Sequence, residues 1–146
     1  MNAKSPVTVR VTHRFDASPE RVFDAWLDPE KARGFLFVTA SGELVCARID
    51  ARVGGAFAFV GRRDGEDIEH TGEYLEIERP RRLVFSLTVQ KHARDTDRVT
   101  VEIVPLRTGC ELTLTHEMGR EWADHTDSME SGWIGILAAL AAMLNE

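Results

Sequence analysis

The chain has 146 residues, 43% hydrophobic and 29% charged, with a net charge of −6. That is long enough for one domain with its own core and no help from metals or disulfides. The acidic balance, with basic residues scattered beside turns (Arg62, Arg63, Arg79, Arg81, Arg82), excludes nucleic acid as the expected partner, because phosphate binding needs clustered Lys and Arg.

From the N-terminus, "VTVRVTHRF" (7–15) alternates with period two, Val7, Val9, Val11 and His13 sharing one face, which predicts a strand. Two similar signals follow, "SPE" at 18–20 and "DPE" at 28–30. Each supplies a capping oxygen, a proline at the first helical position and a glutamate for the positive end of the helix dipole. Two short helices are predicted, the first presenting Val22, Phe23, Trp26 and Leu27 and the second ending near Gly34.

Residues 43–117 read as strand, turn, strand throughout. "ELVCARID", "AFAFVGR", "IEHTGEYLEIE", "LVFSLTVQ", "RVTVEIV" and "CELTLTHEM" are joined by turns at "VGG", "RRDGED", "RPRR", "ARDTD" and "PLRTG". Sequential hairpins predict an antiparallel sheet of about seven strands, counting the first. Cys46 and Cys110 fall in separate strands, with no CxxC pair and no histidine at metal-ligand spacing, so both are expected as buried free thiols.

The final helix carries His125, Met129, Trp133, Ile136, Leu137, Leu140 and Leu144 at spacings of three and four, with Asp124 or Thr126 as its cap. Within residues 131–144 only Ser131 is polar. The expectation is a helix clasped by a curved sheet, with most of its circumference buried. Gly132 and Gly135 each cost roughly 1 kcal/mol against alanine, and are expected where backbone or ligand approaches. The apolar run at 132–144 is shorter than the roughly 20 residues that cross a bilayer, so membrane insertion is not expected. No leader of charged, apolar and small residues opens the chain, and a cytoplasmic setting is the expectation.

This order predicts an α+β domain over residues 1–146, and it resembles the helix-grip fold of the START-related (SRPBCC) superfamily. The details resemble the family named for the activator of the ninety-kilodalton heat-shock chaperone's ATPase. The carrying segments are "SPERVFDAWLDPEKARGF" (18–35), "GGAFAF" (54–59), "GEYLEIERPRRLVFSL" (72–87), "VTVEIVPLRTGCELTLTHE" (99–117) and "GWIGILAAL" (132–140). The resemblance implies a long C-terminal helix across the concave face of the sheet, and a cavity between them for small hydrophobic molecules. It also brings a departure: Phe35 stands where the family commonly has a tryptophan, which alters the aromatic wall.

No motif demands catalysis. There is no HExxH, no G-x-S-x-G and no glycine-rich phosphate loop, so no catalytic residue, metal or cofactor is assigned. His116, at the end of an inward-looking strand face, is expected as a hydrogen-bonded core or rim residue; His116, Asp124 and His125 lack metal-ligand spacing. The residues expected to line a ligand site are Trp26, Phe35, Phe37, Phe57, Phe59, Tyr74, Phe85, His116, Trp122, Met129, Trp133 and Leu137. Among these, Tyr74, His116 and Trp122 are the expected polar handles, since each joins an apolar body to a hydrogen-bonding tip. The segments 34–41 and 118–125 are expected at the mouth. The favoured function is binding of a small apolar or aromatic ligand. One alternative is a cyclase-, dehydratase- or hydrolase-like enzyme using His116 or Glu117. Another is an interaction module for a chaperone partner. A homodimer is compatible with all three.

Overall fold

The computed structural model describes residues 7–35, 43–63, 65–89, 97–119, 124 and 126–144. Alternation in β1 (Val7–Phe15) buries Val9, Val11 and Phe15 and leaves Thr8, Arg10, Thr12 and Arg14 exposed. Both capping signals work as predicted. Ser18 Oγ accepts the Arg21 N–H at 3.2 Å to start α1 (Pro19–Leu27), and Asp28 Oδ1 accepts the Glu30 N–H at 3.0 Å to start α2 (Pro29–Ala32). One face of α1 goes under the sheet with Val22, Phe23, Ala25 and Trp26.

Six further strands follow: β2 (Glu43–Ile49), β3 (Ala56–Arg63), β4 (Glu66–Glu78), β5 (Arg82–Val89), β6 (Asp97–Pro105) and β7 (Cys110–Met118). They form one antiparallel sheet in the order β1-β7-β6-β5-β4-β3-β2, open and curved. The one pairing not made by a hairpin is β1 with β7, running from Val7↔Met118 to Phe15↔Cys110. Register shifts at Leu44/Cys46 and Tyr74/Glu76 interrupt β2 and β4; such bulges sharpen local twist and bend a sheet. At Gly72 a side chain has no room, because a Cβ there would lie 1.9 Å from the Ser86 carbonyl and 2.5 Å from the Phe57 ring. The Phe57 ring therefore packs against the Gly72 backbone, a closeness only a glycine permits.

The inner face is set by parity. Phe57, Phe59, Tyr74, Leu83, Phe85, Leu87, Val99, Val101, Ile103, Leu112, Leu114, His116 and Met118 are all buried, as is Cys110. Cys46 is half-buried rather than buried, and both thiols are free. On the outer face Arg82 bridges Glu76 and Glu102, and Arg14 meets Glu111. The basic residues flagged as scattered are thus partly paired; such exposed pairs contribute little to stability.

The last element, α3 (Thr126–Leu144), packs on β1 and touches α1. Thr126 is already helical, and His125 before it lies outside the described residues. Arg21 Nη2 donates to the Leu144 carbonyl at 2.9 Å, a cation on the negative end of the helix dipole. The predicted stripe is the buried one, with Trp133, Leu137, Leu140 and Leu144 inward and Met129 and Ile136 half-buried. The predicted burial of most of its circumference is not seen. Ser131, Gly132, Ile134, Gly135, Ala138 and Ala142 are exposed, Ile134 at 49%. A Cβ at Gly132 or Gly135 would meet nothing within 4 Å. A uniformly apolar sequence hides which stripe the sheet takes, and one side of a curved surface covers only about 100° of a helix.

Candidate functional site, an aromatic cluster around two buried indoles

Helix α1 and helix α3 each deliver a tryptophan to the space over the sheet. Trp26, 2% exposed, meets Phe35 edge-on at 5.3 Å between centroids, and lies 6.5 Å from both Phe85 and Trp133. Phe85 passes the contact to Phe57, edge-on at 5.4 Å. Phe57 then meets Tyr74 at 5.4 Å and Phe59 at 5.6 Å. These separations lie in the favourable range for offset and T-shaped aromatic pairs. The result is a continuous ring cluster from α1 through α3 to β3, β4 and β5. Leu137 is buried. Phe37 and Trp122, with the histidines at 92 and 125 and most of the two mouth segments, lie outside the described residues.

The polar atoms of the cluster divide sharply. Trp133 Nε1–H donates to His116 Nδ1 at 2.9 Å, and His116 Nε2 lies 2.9 Å from Asp97 Oδ2. An indole nitrogen can only donate. His116 Nδ1 must therefore accept, and the neutral ring carries its proton on Nε2 and donates it to Asp97. His116 faces inward beside a carboxylate, as the enzyme alternative requires. A general base, however, needs a free lone pair within reach of substrate, and the Nδ1 lone pair is engaged by Trp133. The three side chains form a strut that fixes α3 to β7 and β6.

Asp97 did not stand out in the sequence because "ARDTD" reads as a turn. The available signal was register: Val99 faces His116, so a residue two earlier on β6 is its diagonal neighbour on the same face. Arg21, which fastens the end of α3, was equally silent. The Tyr74 phenol is pushed up by burial and then by the negative charge of Asp50, so it stays a neutral donor. Burial, then the charge of Glu20, also raises the Cys110 thiol, leaving it unreactive. Among the described residues no group of three His, Cys, Asp or Glu side chains is placed to hold a metal ion.

The indole of Trp26 is treated differently. Its Nε1–H is buried and has no hydrogen-bond partner. A buried unpaired donor costs about 1–3 kcal/mol, and native interiors seldom keep one.

A family model described as "Activator of Hsp90 ATPase homolog 1-like protein" matches residues 16–145. Among solved structures, a protein from Chromobacterium violaceum is 28% identical with a TM-score of 0.84, over 97% of this chain and 99% of that one. A Rhodobacter sphaeroides protein is 22% identical with a TM-score of 0.84, over 94% of this chain and 92% of that one. An AHSA1-like protein from Aeromonas hydrophila is 20% identical with a TM-score of 0.79, over 95% of this chain and 92% of that one. Comparison with curated proteins gives no match. Among the described residues no helix is long and apolar enough to cross a membrane.

Proposed function

The chain belongs to the Activator of Hsp90 ATPase homolog 1-like family, and from that premise we propose that it binds a small apolar or aromatic molecule between α3 and the concave face of the sheet. The observation that supports this is the ring cluster: Trp26, Phe35, Phe57, Tyr74, Phe85 and Trp133 converge from α1, the turn after α2, β3, β4, β5 and α3. Ligand sites are concave, mostly apolar and furnished with few polar groups. Affinity would come from buried apolar area, at about 25 cal/mol per Å². The Asp97–His116 pair serves position rather than catalysis in this reading, since Trp133 takes the nitrogen a base would use.

Titration with naphthalene tests the proposal, followed by intrinsic fluorescence and by the ¹⁵N–¹H signals of the tryptophan indoles. Saturable binding of one equivalent, with the Trp26 and Trp133 signals moving together, is the expected result. The absence of any saturable change with naphthalene, together with no small molecule retained in native mass spectrometry of the purified protein, overturns it.

A further inference from the structure

The unpaired Trp26 donor narrows the chemistry of the ligand. We infer that the molecule this site takes is neutral and carries a hydrogen-bond acceptor, a ketone, aldehyde, ester or lactone oxygen, that seats against Trp26 Nε1–H. The inference rests on the binding reading above and adds the polar half of the recognition.

Two indoles enter one cluster, 6.5 Å apart between rings. The donor of Trp133 is consumed by His116 at 2.9 Å, and the donor of Trp26 is not consumed at all. Among the described residues, every ring bordering Trp26 is a hydrocarbon face or an occupied donor: Phe35, Phe85 and Trp133 offer no free acceptor. An indole cannot rearrange to accept, so whatever completes it must bring a lone pair. His116, the nearest nitrogen-bearing ring to Trp133, has its only acceptor atom taken.

Charge excludes the anionic acceptors. The only buried polar or charged residues described are Thr100 and His116, so no buried Lys or Arg is available. Arg21, on α1, spends Nη2 on the Leu144 carbonyl. Two described carboxylates lie at the edge of the cluster: Asp97, already facing His116, and Asp50, whose charge reaches Tyr74. A carboxylate or phosphate entering this space would lose its hydration with no buried cation among the described residues to replace it and with like charges nearby, a cost far above one hydrogen bond. A neutral carbonyl oxygen is desolvated at modest cost, and the bond to a donor that was already dry returns more than it would in water.

The test uses the whole protein and three probes of one shape: 2-acetylnaphthalene, its isostere 2-isopropenylnaphthalene with a methylene in place of the oxygen, and 2-naphthoate. Wild type is expected to bind the ketone about two- to tenfold more tightly than the alkene, the ratio that one net hydrogen bond supplies. It is expected to bind the naphthoate more weakly than the ketone. The Trp26 indole proton, assigned by the signal lost in Trp26→Phe, should move downfield with the ketone and not with the alkene. In Trp26→Phe the ketone preference should vanish while the alkene still binds. Equal binding of ketone and alkene by wild type, or a ketone preference that survives Trp26→Phe, overturns the inference and leaves apolar binding intact. Tighter binding of the naphthoate overturns the neutral class. If neither neutral probe binds, the underlying binding proposal fails instead. Should Trp26→Phe not fold, the three wild-type indole signals, titrated with ketone and alkene, still decide: no indole proton moving downfield with the ketone alone overturns the inference.

Discussion

The α1 end and the α3 end of the aromatic cluster look alike by composition and differ in their polar atoms. At the α3 end the polar atoms are joined: Trp133 donates to His116, which is joined to Asp97, and the Leu144 carbonyl is held by Arg21. At the α1 end the rings pack as well, yet the Trp26 donor ends in nothing. The outer side of α1 is fixed by an exposed contact instead, with Arg79 Nε and Nη2 reaching Asp24 at 2.8 and 2.9 Å. A closed polar network specifies an arrangement and rigidifies it. The difference teaches that one indole is there to hold the helix and the other is free to meet something else.

The largest effect that sharpens this contrast should come from removing the α3 ring outright. Trp133→Ala deletes a 4% exposed indole and strands His116, so urea unfolding should show a loss of about 3–5 kcal/mol. The contrast itself is read by subtler changes. Trp133→Phe keeps a ring but leaves a buried imidazole acceptor unpaired, an added cost of about 1–3 kcal/mol. Trp26→Phe removes a donor that has no partner, so its measured loss should be smaller than that of Trp133→Phe. Trp133→Phe should cost less in a His116→Phe background than in wild type, because the acceptor it would strand is already gone. Equal losses for the two tryptophan-to-phenylalanine variants would erase the distinction between the two ends.

The smallest effect belongs to the exposed tie. Hydrogen bonds from Arg79 hold the Asp24 carboxyl below its ordinary value, against a partial desolvation. A depressed carboxylate contributes stability that is full above the unfolded value, about 3.9, and is lost as pH falls through the folded value. Asp24→Asn should therefore lower Tm slightly near neutral pH. The gap to wild type should close on acidification and shrink with added salt, because both partners are about half exposed. A gap independent of salt and pH would mean that the contact acts through packing.

Much of the frame was legible because alternation, caps and turn glycines are local signals. Ser18 and Asp28 start their helices as read, and Gly65 and Gly109 turn their hairpins with φ of 77°. The stripe on α3 was legible too. What stayed hidden depends on relations across the chain. Asp97 gains its meaning from facing β7, and no period within its own segment announces that. The exposed side of α3, with Ile134 and Ala138, cannot be separated from the buried side when both are written in apolar residues. Trp26 could be named for its ring, but whether its N–H finds an acceptor depends on how Phe35, Phe85 and Trp133 surround it.

The pairing of β1 with β7 has a consequence for how the molecule comes into being. Val7 waits for Met118, and Arg21 waits for a carbonyl 123 positions further on. On a ribosome the opening strand emerges long before its mate, so its hydrogen-bonding edge stays bare while the five hairpin-linked strands between them form. Closing such distant ends is slow, and an unpaired edge invites association with other nascent chains. The sheet closes only once β7 and α3 have been made and can seal β1.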